Sequence, residues 1–200
     1  MQIKKKGLSG KSKSVVIMND KIFFSSDKDE TADELHHRGM LFRKTGKPKE
    51  AISYFDKALK INPHHLDALT NKGHSLGNLG KYNEAISCYD KVLEINPKDI
   101  IALINKGLSF HYLSQYEEAV ACYDKILENK PLHANTLYHK ACSRALQSNY
   151  SEALELLEKT INLDPTFKLK ASGDLDFKKL RDNQRFRELV QEEKNYLDFQ

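Results

Sequence analysis

The feature that most constrains the fold of this chain is an internal repeat with a period of 34 residues. A set of prolines, a set of alanines, and a set of glycines that ends in an alanine each recur four times at this step. They are Pro63, Pro97, Pro131 and Pro165; Ala51, Ala85, Ala119 and Ala153; and Gly39, Gly73, Gly107 and Ala141. Because the three sets share one period, we interpret the middle of the chain as four copies of one structural unit.

The second unit, residues 66–99, has the pattern of two amphipathic helices separated by a break. Small and apolar residues recur at helical spacing in each half, at Leu69, Gly73 and Leu76 and then at Ala85, Tyr89, Val92 and Leu93. Gly80 ends the first run, and Asn96-Pro97 ends the second because proline cannot continue a helix. The pattern therefore predicts a pair of helices in every unit.

This unit resembles the tetratricopeptide repeat (TPR) family over residues 32–165. The first helix of the family carries a large apolar residue, a glycine and an aromatic residue, and the second carries an alanine, an aromatic residue and a small apolar residue. The matches are Leu35, Gly39, Phe42, Ala51, Phe55 and Ala58 in the first repeat and Leu103, Gly107, Phe110, Ala119, Tyr123 and Ile126 in the third. Such small residues let two helices approach closely while the aromatic rings fill the space beside them.

The sequence departs from the family pattern at two places. The position before the glycine, often leucine in the family, is basic in every repeat, at Arg38, Lys72, Lys106 and Lys140. The fourth repeat is also looser, with Arg144 where an aromatic residue is usual and Thr160 at a small apolar position.

The resemblance implies an all-α fold, a right-handed α-solenoid of four helix–turn–helix repeats with a C-terminal helical cap. We place the repeats at residues 32–65, 66–99, 100–133 and 134–167, after a basic, flexible N-terminal tail at residues 1–31. Thr31 and Glu34 have the spacing of a capping box, which predicts the first helix start. Residues 166–200 are predicted to form capping helices, because the last repeat exposes an apolar face that needs a cover.

The formal net charge of +4 belongs to the N-terminal tail. Residues 1–21 contain six lysines and one aspartate, whereas residues 32–165 contain 17 basic and 17 acidic side chains. A lysine-rich tail can contact phosphates, so the alternative function is a nucleic-acid-associated protein, although nucleic acid is the less favoured partner. The segments VVIM and KIFF around Asn19-Asp20 predict either a small β-hairpin or an extended segment, and we favour a tail that is mostly disordered when free.

The sequence also bears on the compartment. No apolar run approaches the roughly 18 residues of a membrane span, and the apolar patch at residues 15–18 is too short for a secretory signal. Cys88 and Cys122 lie one repeat apart, too far for a disulfide between neighbouring helices. We expect all three cysteines to be reduced thiols in a cytoplasmic protein.

Catalytic signatures are absent from the sequence, which has no glycine-rich phosphate loop, no H-E-x-x-H and no G-x-S-x-G. We therefore predict a non-catalytic protein without a cofactor. His139 and Cys142 are three residues apart, a spacing that can hold a metal with help from His111 of the neighbouring repeat. We predict no metal site, because the sequence fixes no set of four ligands.

The inner face of the first helices is predicted to line a concave groove that is polar in the second repeat and apolar in the third. The candidate groove residues are Asn71, His74, Ile101, Ile104, Asn105, Leu108, Tyr112, Tyr138 and His139. An apolar patch beside asparagine amides suits a bound peptide, so the predicted function is protein–protein interaction as an adaptor or assembly scaffold. The alternative is a patch covered by residues 15–24, by the cap or by a second copy of the chain.

The best-known groove chemistry of the family, a carboxylate clamp for the C-terminus of heat-shock chaperones, is not expected here. By resemblance, the clamp needs lysine, asparagine and arginine at positions that this chain fills with His36, Met40, Asn71, Ile101 and Asn105. Only the central asparagine is present, and a carboxylate needs charged donors.

Overall fold

The computed structural model describes residues 16–18, 21–23 and 30–191, and residues 32–163 within it form four successive helix pairs. The elements are α1 (Ala32–Lys44), α2 (Pro48–Ile61), α3 (Leu66–Asn78), α4 (Tyr82–Ile95), α5 (Ile100–Tyr112), α6 (Tyr116–Leu127), α7 (Ala134–Leu146), α8 (Tyr150–Leu163), α9 (Phe167–Gly173), a 3-10 helix (Leu175–Leu180) and α10 (Gln184–Val190). From α1 to α8, each helix packs against the next, and the first helices of neighbouring repeats touch. The predicted all-α solenoid with a helical cap is confirmed.

The helix ends depend on local interactions, caps and turns, that can be recognised in the sequence. The Thr31 side chain accepts from the Glu34 backbone N–H, and the Glu34 carboxylate accepts in return from the Thr31 N–H at 2.9 Å, which confirms the capping box. The turn between the two helices of each repeat contains one residue with a left-handed backbone. These residues are Gly46, Gly80, Ser114 and Ser148, with φ angles of 72°, 73°, 60° and 63°. In the last two repeats the residue in this left-handed conformation is a serine, for which the conformation costs more free energy than it does for glycine.

Inside each repeat, a small residue of the first helix faces a large one of the second. A Cβ on Gly39, Gly73 or Gly107 would lie 2.4, 2.6 or 2.5 Å from an aromatic ring carbon. The rings are those of Phe55, Tyr89 and Tyr123, each at most 2% exposed. In the fourth repeat the small residue is Ala141 and Leu157 takes the place of the ring. The close approach of the helices therefore explains the glycine position.

The basic residues before these glycines join one repeat to the next. The Nζ atoms of Lys72, Lys106 and Lys140 lie 2.5–2.8 Å from carboxylate oxygens of the preceding repeat. The carboxylates belong to Asp56, Asp90 and Asp124, which are themselves 34 residues apart. Arg38 of the first repeat has no preceding repeat and pairs with Glu30 at 2.7 Å. The departure from the family pattern is thus a ladder of ion pairs between repeats.

Near the N-terminus, two short strands pair in antiparallel fashion. They are β1 (Val16–Met18) and β2 (Lys21–Phe23), with Ile17 opposite Ile22. The sequence predicted either a small β-hairpin or an extended segment here, and the two strands pair as a β-hairpin. The prediction that the tail is mostly disordered falls for the most part on residues 1–15, 19–20 and 24–29, which lie outside the described part of the chain.

The segment after the last repeat packs against the fourth repeat and supplies the predicted apolar cover. Phe177, Leu180 and Phe186 are at most 2% exposed and belong to one cluster with Tyr138 and Leu157. The outer side of this segment is polar, since its cationic side chains are exposed: Lys178, Lys179, Arg181, Arg185 and Arg187.

Candidate peptide-binding groove

The first helices α1, α3, α5 and α7 lie side by side, and their side chains interact across the helix boundaries. The Asn71 amide nitrogen lies 3.1 Å from His36 Nε2, and Arg43 Nη1 lies 3.0 Å from His74 Nδ1. Both contacts join α1 to α3. Asn71 and His74 therefore lie on the face that α3 shares with α1.

Helix α5 contributes the apolar part of this face. Ile101, Ile104, Asn105, Leu108 and Tyr112 follow the helical pattern i, i+3, i+4, i+7 and i+11 and share one side of the helix. Ile101 and Tyr112 are 62% and 64% exposed, and the other three are partly exposed. This face of α5 is therefore an apolar patch that is partly open to solvent.

Two side chains of the α5 patch have properties that bear on ligand binding, a stacked tyrosine ring and an asparagine amide. The Tyr112 ring stacks on Tyr82 of the preceding repeat, with centroids 5.1 Å apart and planes at 15°. The Asn105 side-chain amide forms no hydrogen bond with the described residues, so its donor and acceptor are both available. In contrast, the Asn71 amide already donates to the Asp67 carbonyl at 2.8 Å.

The histidines on the inner face are shielded from solvent, and this changes their protonation. Burial, followed by the charge of Arg43, lowers the pKa of His74. Burial, followed by the charge of His65, lowers the pKa of His36. For His139, which stacks on the Tyr123 ring at 6.1 Å, burial and then Lys170 lower the pKa to about 4. All three therefore favour the neutral form at neutral pH.

The prediction that Tyr138 lies open in the groove is corrected by the structure. Tyr138 is 1% exposed, and its hydroxyl donates to Asp174 Oδ2 at 2.7 Å. Its ring packs against Phe167 and Phe177, with centroids 4.9 and 5.9 Å apart. The cap therefore covers this end of the groove, which was one of the alternatives for the patch. The apolar patch ends at α5 because the chain folds back over α7.

The turn of the chain back over α7 creates a polar cluster that sequence reasoning only half anticipated. His111 Nε2 lies 3.1 Å from Asp176 Oδ2, and Cys142 Sγ lies 3.8 Å from Asp174 Oδ2. The ligand atoms of Cys142, Asp174 and Asp176 all lie within 4.8 Å of one another. The sequence analysis did not single out the two aspartates, because it assigned the segment DLDF to the cap. The signal that could have found them is the pair of acidic residues close to Phe177, which is buried.

The electrostatics of the cluster follow from burial and from its neighbours. Burial raises the pKa of the Cys142 thiol well above its usual range, and Asp174 and Asp176 raise it further. Burial also acts to raise the pKa of Asp176, but the hydrogen bond and charge of His111 outweigh it and hold that pKa below its usual value. The thiol is thus protonated and Asp176 is ionised at neutral pH.

The repeat geometry agrees with comparison by sequence. Family models described as Tetratricopeptide repeat match residues 32–65 and 66–99 and, with a second model, residues 88–121. The chain belongs to the tetratricopeptide repeat family. Proteins of this kind are interaction scaffolds, and the fold itself implies that function at this level. A search of curated proteins gives no significant match in sequence.

Solved TPR structures share the fold. A MamA double mutant is 21% identical over 80% of this chain and 91% of its own, with a TM-score of 0.69. MamA from Desulfovibrio magneticus RS-1, residue 41 to the end, is 21% identical over 81% and 94%, with a TM-score of 0.66. The first TPR of Spaghetti (RPAP3), bound to the HSP90 peptide SRMEEVD, is 24% identical over 59% and 94%, with a TM-score of 0.57. At these identities the likeness concerns the fold alone. Among the described residues, no helix is long and apolar enough to cross a bilayer.

Proposed function

We propose that this TPR protein is a non-catalytic adaptor or assembly scaffold that binds an extended protein segment in the open part of its groove. The observation that carries the proposal is the exposed face of α5, where apolar side chains flank an asparagine amide without a partner among the described residues. An exposed apolar patch is characteristic of a binding surface. The amide supplies one donor and one acceptor for the backbone of a bound segment.

The chemistry of the patch favours apolar side chains in the partner. Ile104 and Leu108 lie one helical turn apart on either side of Asn105, and Tyr112 presents a ring already fixed by stacking. A rigid ring loses little conformational entropy when it is buried by a ligand. We therefore expect one or two apolar side chains of the partner to lie over Ile104 and Leu108.

A C-terminal carboxylate is not expected as the main anchor. The RPAP3 repeat binds an HSP90 peptide, but here the clamp positions include Met40 and Ile101, which cannot donate hydrogen bonds. His36 favours the neutral form and is linked to Asn71. The Arg43 side chain of α1 is engaged with His74. The proposed partner is thus bound through its backbone and apolar side chains.

The three cysteines support the proposed cytoplasmic location. Cys88, Cys122 and Cys142 are buried free thiols, as expected for a protein folded in a reducing compartment.

The test compares groove and surface variants of the full chain. Partners captured from the native cell are measured quantitatively with the wild type, with Asn105→Ala combined with Leu108→Glu, and with Leu132→Glu as the matched control. Leu132 is 70% exposed at the junction between two repeats, so it receives the same charge outside the groove. The groove variant should lose the partners that the wild type and the control retain, with an unchanged helical spectrum.

Equal recovery by all three proteins would exclude the groove as the binding site. If the partners retained by the groove variant are nucleic acids that dissociate as salt increases, the lysine-rich tail is the contact instead, because phosphate contacts weaken steeply with ionic strength.

A further inference from the structure

The polar cluster between α5, α7 and the C-terminal segment combines the side chains that bind zinc in proteins. One thiol and two carboxylates, from Cys142, Asp174 and Asp176, have ligand atoms within 4.8 Å of one another, and the imidazole of His111 adjoins them through Asp176. Cys142 is 3% exposed, so its sulfur faces the cluster rather than solvent. A set of sulfur, nitrogen and oxygen ligands suits Zn²⁺ better than Mg²⁺ or Ca²⁺, which prefer oxygen alone.

The distances are close to those of a tetrahedral site. With Zn–S near 2.3 Å and Zn–O near 2.0 Å, sulfur and oxygen ligands lie about 3.5 Å apart, and nitrogen and oxygen ligands about 3.3 Å apart. The observed separations are 3.8 Å between Cys142 Sγ and Asp174 Oδ2 and 3.1 Å between His111 Nε2 and Asp176 Oδ2. These two pairs are therefore already near tetrahedral separations, whereas the His111 imidazole, which lies outside the group of three, has to approach Cys142 and Asp174 for all four to bind one ion.

A second contact orients the imidazole as in known zinc sites. His111 Nδ1 lies 3.0 Å from the hydroxyl of Ser143, which is fully buried. When Nδ1 carries the proton and donates it to Ser143, Nε2 keeps a lone pair directed at the cluster. Metal-binding histidines usually have such a partner on the other nitrogen.

An unsatisfied polar atom marks the same region. The Tyr123 hydroxyl is fully buried and has no hydrogen-bond partner among the described residues. Tyr123 lies in α6, and its ring stacks on that of His139 in α7, with centroids 6.1 Å apart. Buried hydroxyls are nearly always hydrogen-bonded, so an unpaired one in this part of the fold is an exception.

We propose that Cys142, Asp174, Asp176 and His111 form a zinc-binding site that fastens the C-terminal segment onto the groove at the fourth repeat. The thiol proton is released to solvent when the thiolate binds the ion. A divalent ion with one thiolate and two carboxylates carries one net negative charge, which Lys170 can balance from its position 4.2 Å above the Tyr138 ring. Side chains on α1, α3 and the part of α5 that bears Ile101 and Tyr112 stay partly exposed, so the site fixes how far the groove extends.

The test uses the full chain, freed of metal with a chelator and titrated with Co²⁺ as a spectroscopic substitute for Zn²⁺. Binding of one ion per chain should produce a thiolate-to-cobalt charge-transfer band in the near ultraviolet and intense visible bands of tetrahedral cobalt, both removed by Zn²⁺. Cys142→Ser should abolish the thiolate band. Cys122→Ser is the matched control, because Cys122 is also a buried thiol but lies in α6.

Two further variants keep the result interpretable. Asp176→Asn preserves the shape of the side chain and should weaken Zn²⁺ binding strongly, and Ser143→Ala should weaken it about 10-fold by releasing the imidazole. Helical circular dichroism shows whether each variant is folded. A folded wild type without a thiolate band, or a band that survives Cys142→Ser, would overturn the proposal and leave the cluster as a hydrogen-bonded contact without a metal.

Discussion

At the scale of single residues, the fold depends on how closely the two helices of a repeat approach. Gly107 leaves room for the Tyr123 ring, and a Cβ there would lie 2.5 Å from a ring carbon. Ala141 is tolerated in the fourth repeat because its neighbour is Leu157 instead of a ring. The two facing side chains of each repeat therefore match in size, and enlarging one of them should lower the stability of the fold.

We predict that Gly107→Ala destabilises the protein while Gly77→Ala does not. The first change overpacks a buried contact and should cost about 1–3 kcal/mol, or several degrees in Tm. Gly77 lies in α3 with nothing within 4 Å of an added Cβ, so alanine there should stabilise by about 0.5–1 kcal/mol. Thermal melts followed by circular dichroism measure both changes. Equal melting temperatures for the two variants would contradict the packing argument.

At the scale of elements, neighbouring repeats are joined by ion pairs as well as by apolar contacts. Lys106 of α5 reaches Asp90 of α4, with the lysine side chain 21% exposed and the aspartate 45% exposed. Partial shielding makes such a pair stronger than a fully exposed one, although solvent still screens it. The repetition of the contact at each junction gives every repeat the same register against the next.

We predict a measurable coupling between Lys106 and Asp90. A double-mutant cycle with Lys106→Ala and Asp90→Ala should give a coupling energy of about 0.5–1 kcal/mol that decreases as salt increases. The control is Lys81 with Glu84, a more exposed pair within one turn at 2.8 Å, for which about 0.3 kcal/mol is expected. If the interhelical pair couples no more strongly than the control, the ladder contributes register but little stability.

At the scale of the whole molecule, the groove has two ends of different character. Side chains of α1, α3 and α5 are partly open, whereas the C-terminal segment covers α7 and inserts Asp174, Asp176 and Phe177 against it. The open end also contains shielded histidines such as His74. Stability and groove charge are therefore both expected to depend on pH.

We predict that the melting temperature falls between pH 7.5 and pH 5.5, and that His74→Gln reduces this fall. The pKa of His74 is lowered in the folded chain, first by burial and then by Arg43. Below the unfolded value of about 6.5, the unfolded chain binds a proton that the folded chain does not, so the unfolding free energy decreases as the pH falls. His64→Gln at an exposed position is the control. An unchanged pH dependence in the His74 variant would exclude this residue as a source.

Most of the fold could be predicted from the sequence because a repeat protein is built from local contacts. The prolines and the Thr31 cap fix where helices begin and end, and the glycine opposite an aromatic residue fixes how closely they pack. Each repeat contacts mainly its neighbours, so one period determines the whole array. The open groove residues of α3 and α5 follow from the same helical spacing.

Only the tertiary structure decided what happens after the last repeat. Asp174 and Asp176 lie 32 and 34 residues beyond Cys142, after the end of the last repeat, and no local pattern predicts where that segment will pack. That placement depends on the packing of Phe177 against Tyr138, two residues that are far apart in sequence. The contact removes apolar surface from water, and the sequence does not state which apolar surface Phe177 will cover. The sequence therefore determined the array and the chemistry of its inner face. The fold-back of the chain decided which part of that face is open and brought His111, Cys142 and the two aspartates together.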